Sequence, residues 1–266
     1  MPPCGLYRFI SEAIKGALGD GDHSTLAGVP ESLQRCAGLL IKHDCMLAGV
    51  ELGQEIFHYY DKDLEINVFK NDGDKVKVGD IAFIVSGSAR SILTMERLVL
   101  NCMQRMSGIA TYTHEMVGLV ADTNTRILDT RKTSPIFRMC EKWAVHIGGA
   151  QNHRYGLFDM VMLKDNHVDY SGGITQAVEA TVKYLKETGR DLKIEVETRN
   201  LDEVREALAT KSVDIIMLDN MSLDEMQTAV QLINGAVKTE ASGGITKESV
   251  RAIAETGVDF ISSGAI

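Results

Sequence analysis

Apolar and polar positions along the chain follow two rhythms, and the change between them falls near residue 125. "ESLQRCAGLLIKHD" (31–44) carries apolar residues at helical spacing and few breakers precede it, so residues 1–45 are predicted to be helical. Short runs of strand formers follow, "CMLAGVEL", "LEINVFK" and "IAFIVSG", with the turn-rich "NDGDKVKVGD" between the last two. "ARSILTMERLVLNCMQRMSGIATYTHEMVGLVAD" (89–122) then gives a long helical period. Its interruption at Ser107-Gly108 predicts a domain boundary, dividing the chain into 1–108 and 109–266.

Beyond residue 125 strands and helices alternate. The predicted strands are "TRILDT", "DMVMLKDN", "KIEVET", "DIIMLDN", "AVKTEASGG" and "DFISSGAI", with helical patterns over 136–147, 174–188, 200–210, 222–234 and 246–256. Asn200 with Glu203, and Ser222 with Glu225, are spaced as capping boxes. Such alternation requires parallel strands with crossover helices, which predicts an α/β fold of the (βα) barrel kind, an open doubly wound sheet being the alternative. Only six strands can be read, so an ordinary eight-stranded barrel is not supported.

Composition narrows the function. The 266 residues are 44% apolar and 24% charged, enough for a large α/β domain or two domains. A net charge of -9 argues against nucleic acid as a partner, because that role needs a basic surface to displace counterions. The five cysteines are odd in number and form no C-x-x-C pair, suggesting neither a disulfide framework nor a zinc site. No signal-peptide pattern opens the chain and no apolar run approaches a membrane span, so a cytoplasmic protein with no membrane association is expected.

Against this acidic background the cations are unevenly placed. Between Arg126 and His167 there are seven Lys/Arg against four Asp/Glu, with three of the seven histidines. Each predicted strand also ends in reactive side chains: Asp129, Arg131 and Lys132; Lys164 and Asp165; Glu195 and Glu197; Asp219; Glu240 and Ser242; Ser262 and Ser263. A parallel barrel gathers these ends on one face, although any one of them alone reads equally well as a solvated loop residue. Arg offers a planar fork for carboxylates and phosphates, and Lys a compact charge, so a small anionic ligand fits the cluster. His153 and Arg154 follow a flexible "GGAQN". In "EASGGIT" a strand leads to a helix for which Thr246 is the expected N-cap, directing backbone N–H groups at a phosphate; "SSGAI" offers a second such loop at Gly264. Simple glycine turns are the competing explanation. Glu197 and Asp219 supply hard oxygen donors for Mg²⁺ through water, or for ribose hydroxyls, and helix-start electrostatics is the plainer reading of both. "MERLVLNCMQRM", Cys140 and Trp143 read as packing.

In order, "MERLVLNCMQRMSGIAT", "DTRKTSPIFR", "GGAQNHRYGLFDMVMLKDNHV", "IEVET", "IMLDN" and "EASGGI" resemble quinolinate phosphoribosyltransferase, also called nicotinate-nucleotide pyrophosphorylase (carboxylating). The resemblance covers nearly the whole chain after residue 25. It implies an N-terminal α/β sandwich domain, a C-terminal seven-stranded α/β barrel, and a homodimer with shared active sites. It further implies that quinolinate and phosphoribosyl pyrophosphate give nicotinate mononucleotide, pyrophosphate and CO₂ with Mg²⁺ in NAD biosynthesis. Arg131, Lys132, His153, Arg154 and Lys164 would then line the quinolinate pocket, with Arg105 entering from the partner subunit. Glu197 and Asp219 would face ribose and metal, and Ser242, Gly243 and Gly264 would hold the 5′-phosphate. Lys132, Lys164, Glu197 and Asp219 would carry the catalysis.

Three departures stand out. Ile136 replaces the glycine usual after the proline of "TRKT-x-P", Ala150 replaces a third glycine, and this sequence stops at Ile266 whereas the family runs on. Two rivals define what must be excluded. A related phosphoribosyltransferase acting on nicotinate would need fewer cations. "NDGDKVKVGDIAFIVSG" has the cadence of a lipoyl- or biotin-carrier domain, yet lacks the lysine hairpin that bears the prosthetic group.

Overall fold

The computed structural model describes residues 5–266; Cys4 and the beginning of the stretch read for a signal peptide lie outside them. Two compact units form, one from Met1–His114 and Thr133–Gly149, the other from Glu115–Lys132 and Ala150–Ile266.

The first unit runs α1 (Leu6–Leu18), α2 (His23–Gly28), β1 (Gln34–Leu40), β2 (Cys45–Met46), α3 (Val50–Tyr60), β3 (Glu65–Val68), β4 (Lys75–Val76), β5 (Ile81–Ser88) and α4 (Ala89–Leu119). An antiparallel sheet of order β1-β5-β3 and the small β2-β4 pair are joined by helices, the expected α/β sandwich. Ile10, Leu52, Ile56, Met95 and Met106 are fully buried in its core. A later helix, α5 (Arg138–Ile147), belongs to the same core through Met139, Cys140 and Ala144.

Three local expectations are corrected here. Residues 34–40 are a strand: β1 is exposed along almost its whole length and exists because β5 pairs with it, which local periodicity does not report. "CMLAGVEL" is a strand only at Cys45–Met46, after which Gly49 takes φ +94° and α3 begins. Its first N–H groups, on Val50 and Glu51, donate to the Asp72 carboxylate at 2.8 and 3.2 Å, so the cap comes from distant sequence. Finally, α4 continues unbroken through Ser107-Gly108. Ser107 Oγ accepts from Ala48 N and donates to Ala48 O at 2.9 and 3.1 Å, a tertiary anchor that offsets its weak helix propensity.

In the second unit β6 (Arg126–Leu128), β7 (Val161–Leu163), α6 (Asp165–Ser171), α7 (Ile174–Thr188), β8 (Ile194–Thr198), α8 (Leu201–Ala209), β9 (Ile215–Asp219), α9 (Leu223–Ile233), β10 (Lys238–Ser242), α10 (Val250–Ala254) and β11 (Phe260–Ser262) follow one another. All six strands are parallel, in the order β6-β11-β10-β9-β8-β7. The seventh position is a single residue: Gln151 donates to Ile127 O at 2.9 Å and accepts from Asp129 N at 3.2 Å on the free edge of β6. A one-residue bridge has no periodicity, which is why six strands are legible in a barrel of the seven-stranded kind.

Alternation along the strands sorts the side chains. Val196, Ile216, Leu218, Ala241 and Ile261 are buried on the helix-facing side of the sheet, and Val204, Ala229 and Ile253 are buried on the helices. Their neighbours Glu195 and Glu197, Met217 and Asp219, and Glu240 and Ser242 therefore face the barrel interior. The helices start largely as the capping signals predict. Ser222 and Glu225 form the full box, whereas Glu203 turns to Arg199 and leaves Asn200 to cap α8 alone. Thr246 is not a helix N-cap, since α10 begins at Val250 and is only five residues long, so the helix-dipole argument for a phosphate at that loop falls away.

Candidate active site

The C-terminal strand ends of the second unit surround a cavity of about 770 Å³. Arg131, Lys132, His153, Arg154, Lys164, Glu197, Asp219, Ser242, Gly243 and Gly264 all line it. Arg105 does not belong to this unit: on α4 its Nε and Nη2 donate to Glu141 Oε1 at 3.0 and 2.7 Å, and Nη2 reaches Ser134 Oγ at 3.3 Å. His167, counted above among the clustered charges, is a helix cap; its Nδ1 accepts the Lys164 N–H at 2.9 Å at the start of α6.

The lining falls into three sectors because strand order and chain order agree. Cations follow β6, the Gln151 bridge and β7. Arg154 donates through Nη1 to Met160 O at 3.2 Å, and burial together with the nearby Arg131 charge lowers its pKa. Arg131 Nε is buried with no hydrogen-bond partner among the described residues. Two guanidiniums that repel one another in a partly dry site are set to receive an anion.

Carboxylates occupy the next sector, at the ends of β8 and β9. Burial raises the Glu197 pKa and the Asp219 charge adds to this, while Lys164, with Nζ 3.4 Å from Glu197 Oε2, opposes it. Two neighbouring carboxylates, one of them paired with an ammonium, suit a hard cation or hydroxyl donors. The third sector, after β10 and β11, is made of small residues. Gly243 has φ +98°, and a Cβ there would collide with the Asn220 side chain; one at Gly264 would press on Lys132 Cδ at 3.1 Å. Asn220, itself at φ +53°, donates to Asp219 Oδ2 at 2.8 Å and so braces the carboxylate sector against the glycine loop.

Beneath these sectors lies a group that the strand-end pattern displayed without revealing its role. His153 Nε2 is 3.1 Å from Glu195 Oε2 and 3.2 Å from Glu240 Oε2, and both glutamates are fully buried. Burial works to lower the His153 pKa, but the hydrogen bonds and charges of the two carboxylates outweigh it and push it up to about 10. Burial, aided by the Glu240 charge, raises Glu195 to about 7. A charged ring would carry a proton on Nδ1 as well as on Nε2, so the 2.6 Å approach of the Arg154 N–H to Nδ1 describes the neutral ring, with its one proton on Nε2 facing the carboxylates. His153, Glu195 and Glu240 are also the group of metal-type donors that comes together among the described residues.

A parallel barrel with cationic, carboxylate and glycine sectors around one mouth defines a protein that binds a small, highly charged anionic ligand. Family comparison is specific. The model for "Quinolinate phosphoribosyl transferase, N-terminal domain" matches residues 22–107 and that for its C-terminal domain matches 109–266. The chain belongs to this family. It is 44% identical over 284 residues to "Quinolinate phosphoribosyltransferase [decarboxylating] 2b, mitochondrial" of Nicotiana tabacum, covering 100% of this chain and 80% of that protein. It is 45% identical to the "Probable nicotinate-nucleotide pyrophosphorylase [carboxylating]" of Synechocystis sp., covering 98% of this chain and 86% of the relative. The crystal structure of NadC from Streptococcus pyogenes superposes with a TM-score of 0.92 at 35% identity, over 100% of this chain and 92% of that one. The segment with carrier-domain cadence lies inside the N-terminal match, and the carrier reading is set aside.

Proposed function

We propose that the protein transfers the phosphoribosyl group of phosphoribosyl pyrophosphate to quinolinate with loss of CO₂, giving nicotinate mononucleotide and pyrophosphate for NAD biosynthesis. The observation that carries this reading is the crowding of Arg131 and Arg154 in one half-buried sector with no protein carboxylate closing on the Arg131 Nε. A dicarboxylate relieves their repulsion; a monocarboxylate leaves part of it in place. Lys132 and Lys164 flank that sector and complete a cationic seat for both carboxylates of one pyridine ring.

The same sectors order the reaction. Quinolinate and its partner are both anions, so the cations must offset their repulsion before the ring nitrogen can approach the anomeric carbon. As the C–O bond to pyrophosphate breaks, positive charge grows on the ribose, and Glu197 and Asp219 face it. The glycine sector leaves room and N–H groups for the 5′-phosphate. Once the new C–N bond has formed, the pyridinium nitrogen draws the electron pair released as the adjacent carboxylate leaves as CO₂, the Lys132 or Lys164 ammonium stabilises the developing carbanion, and a proton taken up at the vacated ring carbon completes nicotinate mononucleotide. Glu197 and Asp219 are oxygen donors of the kind Mg²⁺ accepts through water, and the ion would neutralise the departing pyrophosphate.

Two finer features belong to the same proposal. The enzyme acts as a homodimer in which Arg105, half exposed on α4 and braced by the buried Glu141, serves the partner's cavity. The described cysteines, Cys36, Cys45, Cys102 and Cys140, are free thiols, which supports a reducing compartment such as the cytoplasm. No helix among the described residues is long and apolar enough to cross a membrane. Arg154→Ala tests the subsite assignment: KM for quinolinate should rise on the order of a hundredfold while that for phosphoribosyl pyrophosphate changes little, because one charged partner of a desolvated pair is lost. The reverse pattern in steady-state kinetics would show that Arg154 serves the donor.

A further inference from the structure

His153 is tied down at every nitrogen. Its backbone N–H donates to Asp129 Oδ1 at 2.8 Å, its Nδ1 accepts the Arg154 N–H at 2.6 Å, and its Nε2 lies between Glu195 Oε2 and Glu240 Oε2 at 3.1 and 3.2 Å. Apart from the Arg154 N–H, these contacts come from the ends or interiors of β6, β8 and β10, three strands spread across the sheet. The Nε2 contacts are close ion-pair approaches rather than aligned hydrogen bonds, so it is charge that holds this side of the ring. Its neighbour Arg154, by contrast, reaches the cavity with its guanidinium held on its own loop by Nη1 donating to Met160 O at 3.2 Å.

We propose that Glu195 and Glu240 form a buried socket for His153 and, through it, position Arg154 in the dicarboxylate subsite. Neither glutamate is a catalytic residue on this reading. They act on the ring, and the ring acts on the Arg154 backbone. The segment concerned, 152–160, leaves the one-residue bridge at Gln151 and has no strand hydrogen bonds of its own until β7 begins, so its register depends on side-chain anchors. Two carboxylates at the barrel floor are otherwise hard to account for, because burying them without a role costs stability that apolar residues would not cost. The Glu195 charge also favours the charged form of Arg154. The socket thus fixes both the place and the charge of the guanidinium.

This inference rests on the quinolinate reading above, and the test separates the two. Wild-type protein is assayed first with quinolinate and phosphoribosyl pyrophosphate; absence of turnover there sinks the functional reading itself. Given wild-type turnover, Glu240→Ala should raise KM for quinolinate about tenfold, the effect of depriving a buried donor of its acceptor, with KM for phosphoribosyl pyrophosphate within about twofold. Glu240→Gln, which keeps an acceptor oxygen in place but not the charge, should recover part of the loss. A socket that merely stabilises the fold would instead lower the melting temperature and leave the ratio of the two KM values untouched. Should Glu240→Ala not fold, Glu240→Asp, whose shorter side chain withdraws the carboxylate from the ring, takes its place, again with a quinolinate-specific rise in KM expected. Equal changes in both KM values, or none, in the variant that folds would overturn the proposal.

Discussion

Ile136 has φ +68° and is 86% exposed, so a β-branched side chain stands in the left-handed region with no packing to hold it there. For an L-residue that backbone costs roughly 1–2 kcal/mol, partly offset in a glycine variant by the greater freedom of the unfolded chain. Ile136→Gly should therefore stabilise the protein by about 0.5–1 kcal/mol, read as a higher denaturant midpoint at unchanged m. A lower midpoint would mean that the exposed side chain makes a favourable contact. Single residues were unequally legible. Arg131, Lys132 and Lys164 stand out as cations directly after apolar strands, His153 and Arg154 as a pair after the flexible "GGAQN", and the resemblance supplied the roles expected of them. Glu195 and Glu240 stood in plain view at strand ends, yet their partner His153 lies far off in sequence. Nothing local distinguishes a carboxylate that lines the cavity, such as Glu197, from one two residues earlier that lies against a histidine.

Among the elements, those whose stability is local were read well and those made by distant partners were not. The helix α7 was read with both its ends, Ile174 and Thr188, because amphipathic periodicity and a glycine at each end define it. β1 required β5, and the start of α3 required Asp72. The same dependence on side chains from elsewhere joins β10 to β11. Asp259, just before β11, accepts from Lys238 Nζ at 2.6 Å and from Thr239 N and Oγ1 at 2.9 and 3.0 Å. Burial alone would raise its pKa, but these bonds outweigh burial and lower it. A depressed carboxylate contributes stability that is fully present above its unfolded value, near 3.9, and is lost as pH falls through the lower folded value. Asp259→Asn should thus cost about 1–2 kcal/mol at pH 7 and make unfolding less acid-sensitive below about pH 4. Parallel acid limbs for the variant and the parent, in urea titrations at several pH values, would contradict this account of the β10–β11 clasp.

At the scale of the whole molecule, an acidic chain with net charge -9 sets Arg131, Lys132, Arg154 and Lys164 in one sector of one cavity and places carboxylates beside them. That division, more than total charge, matches a reaction between two anions that passes through a cationic ribose. The barrel makes it possible because strands consecutive in sequence end side by side, so an ordered list of strand-end residues becomes an ordered rim. The single measurement that bears most directly on this account follows both products in one reaction: purified protein with carboxyl-labelled quinolinate, phosphoribosyl pyrophosphate and Mg²⁺, and a parallel reaction with nicotinate. The account predicts one CO₂ released for each nicotinate mononucleotide formed from quinolinate, with turnover of nicotinate far slower. Nicotinate consumed as fast as quinolinate, or mononucleotide formed without CO₂, would contradict it.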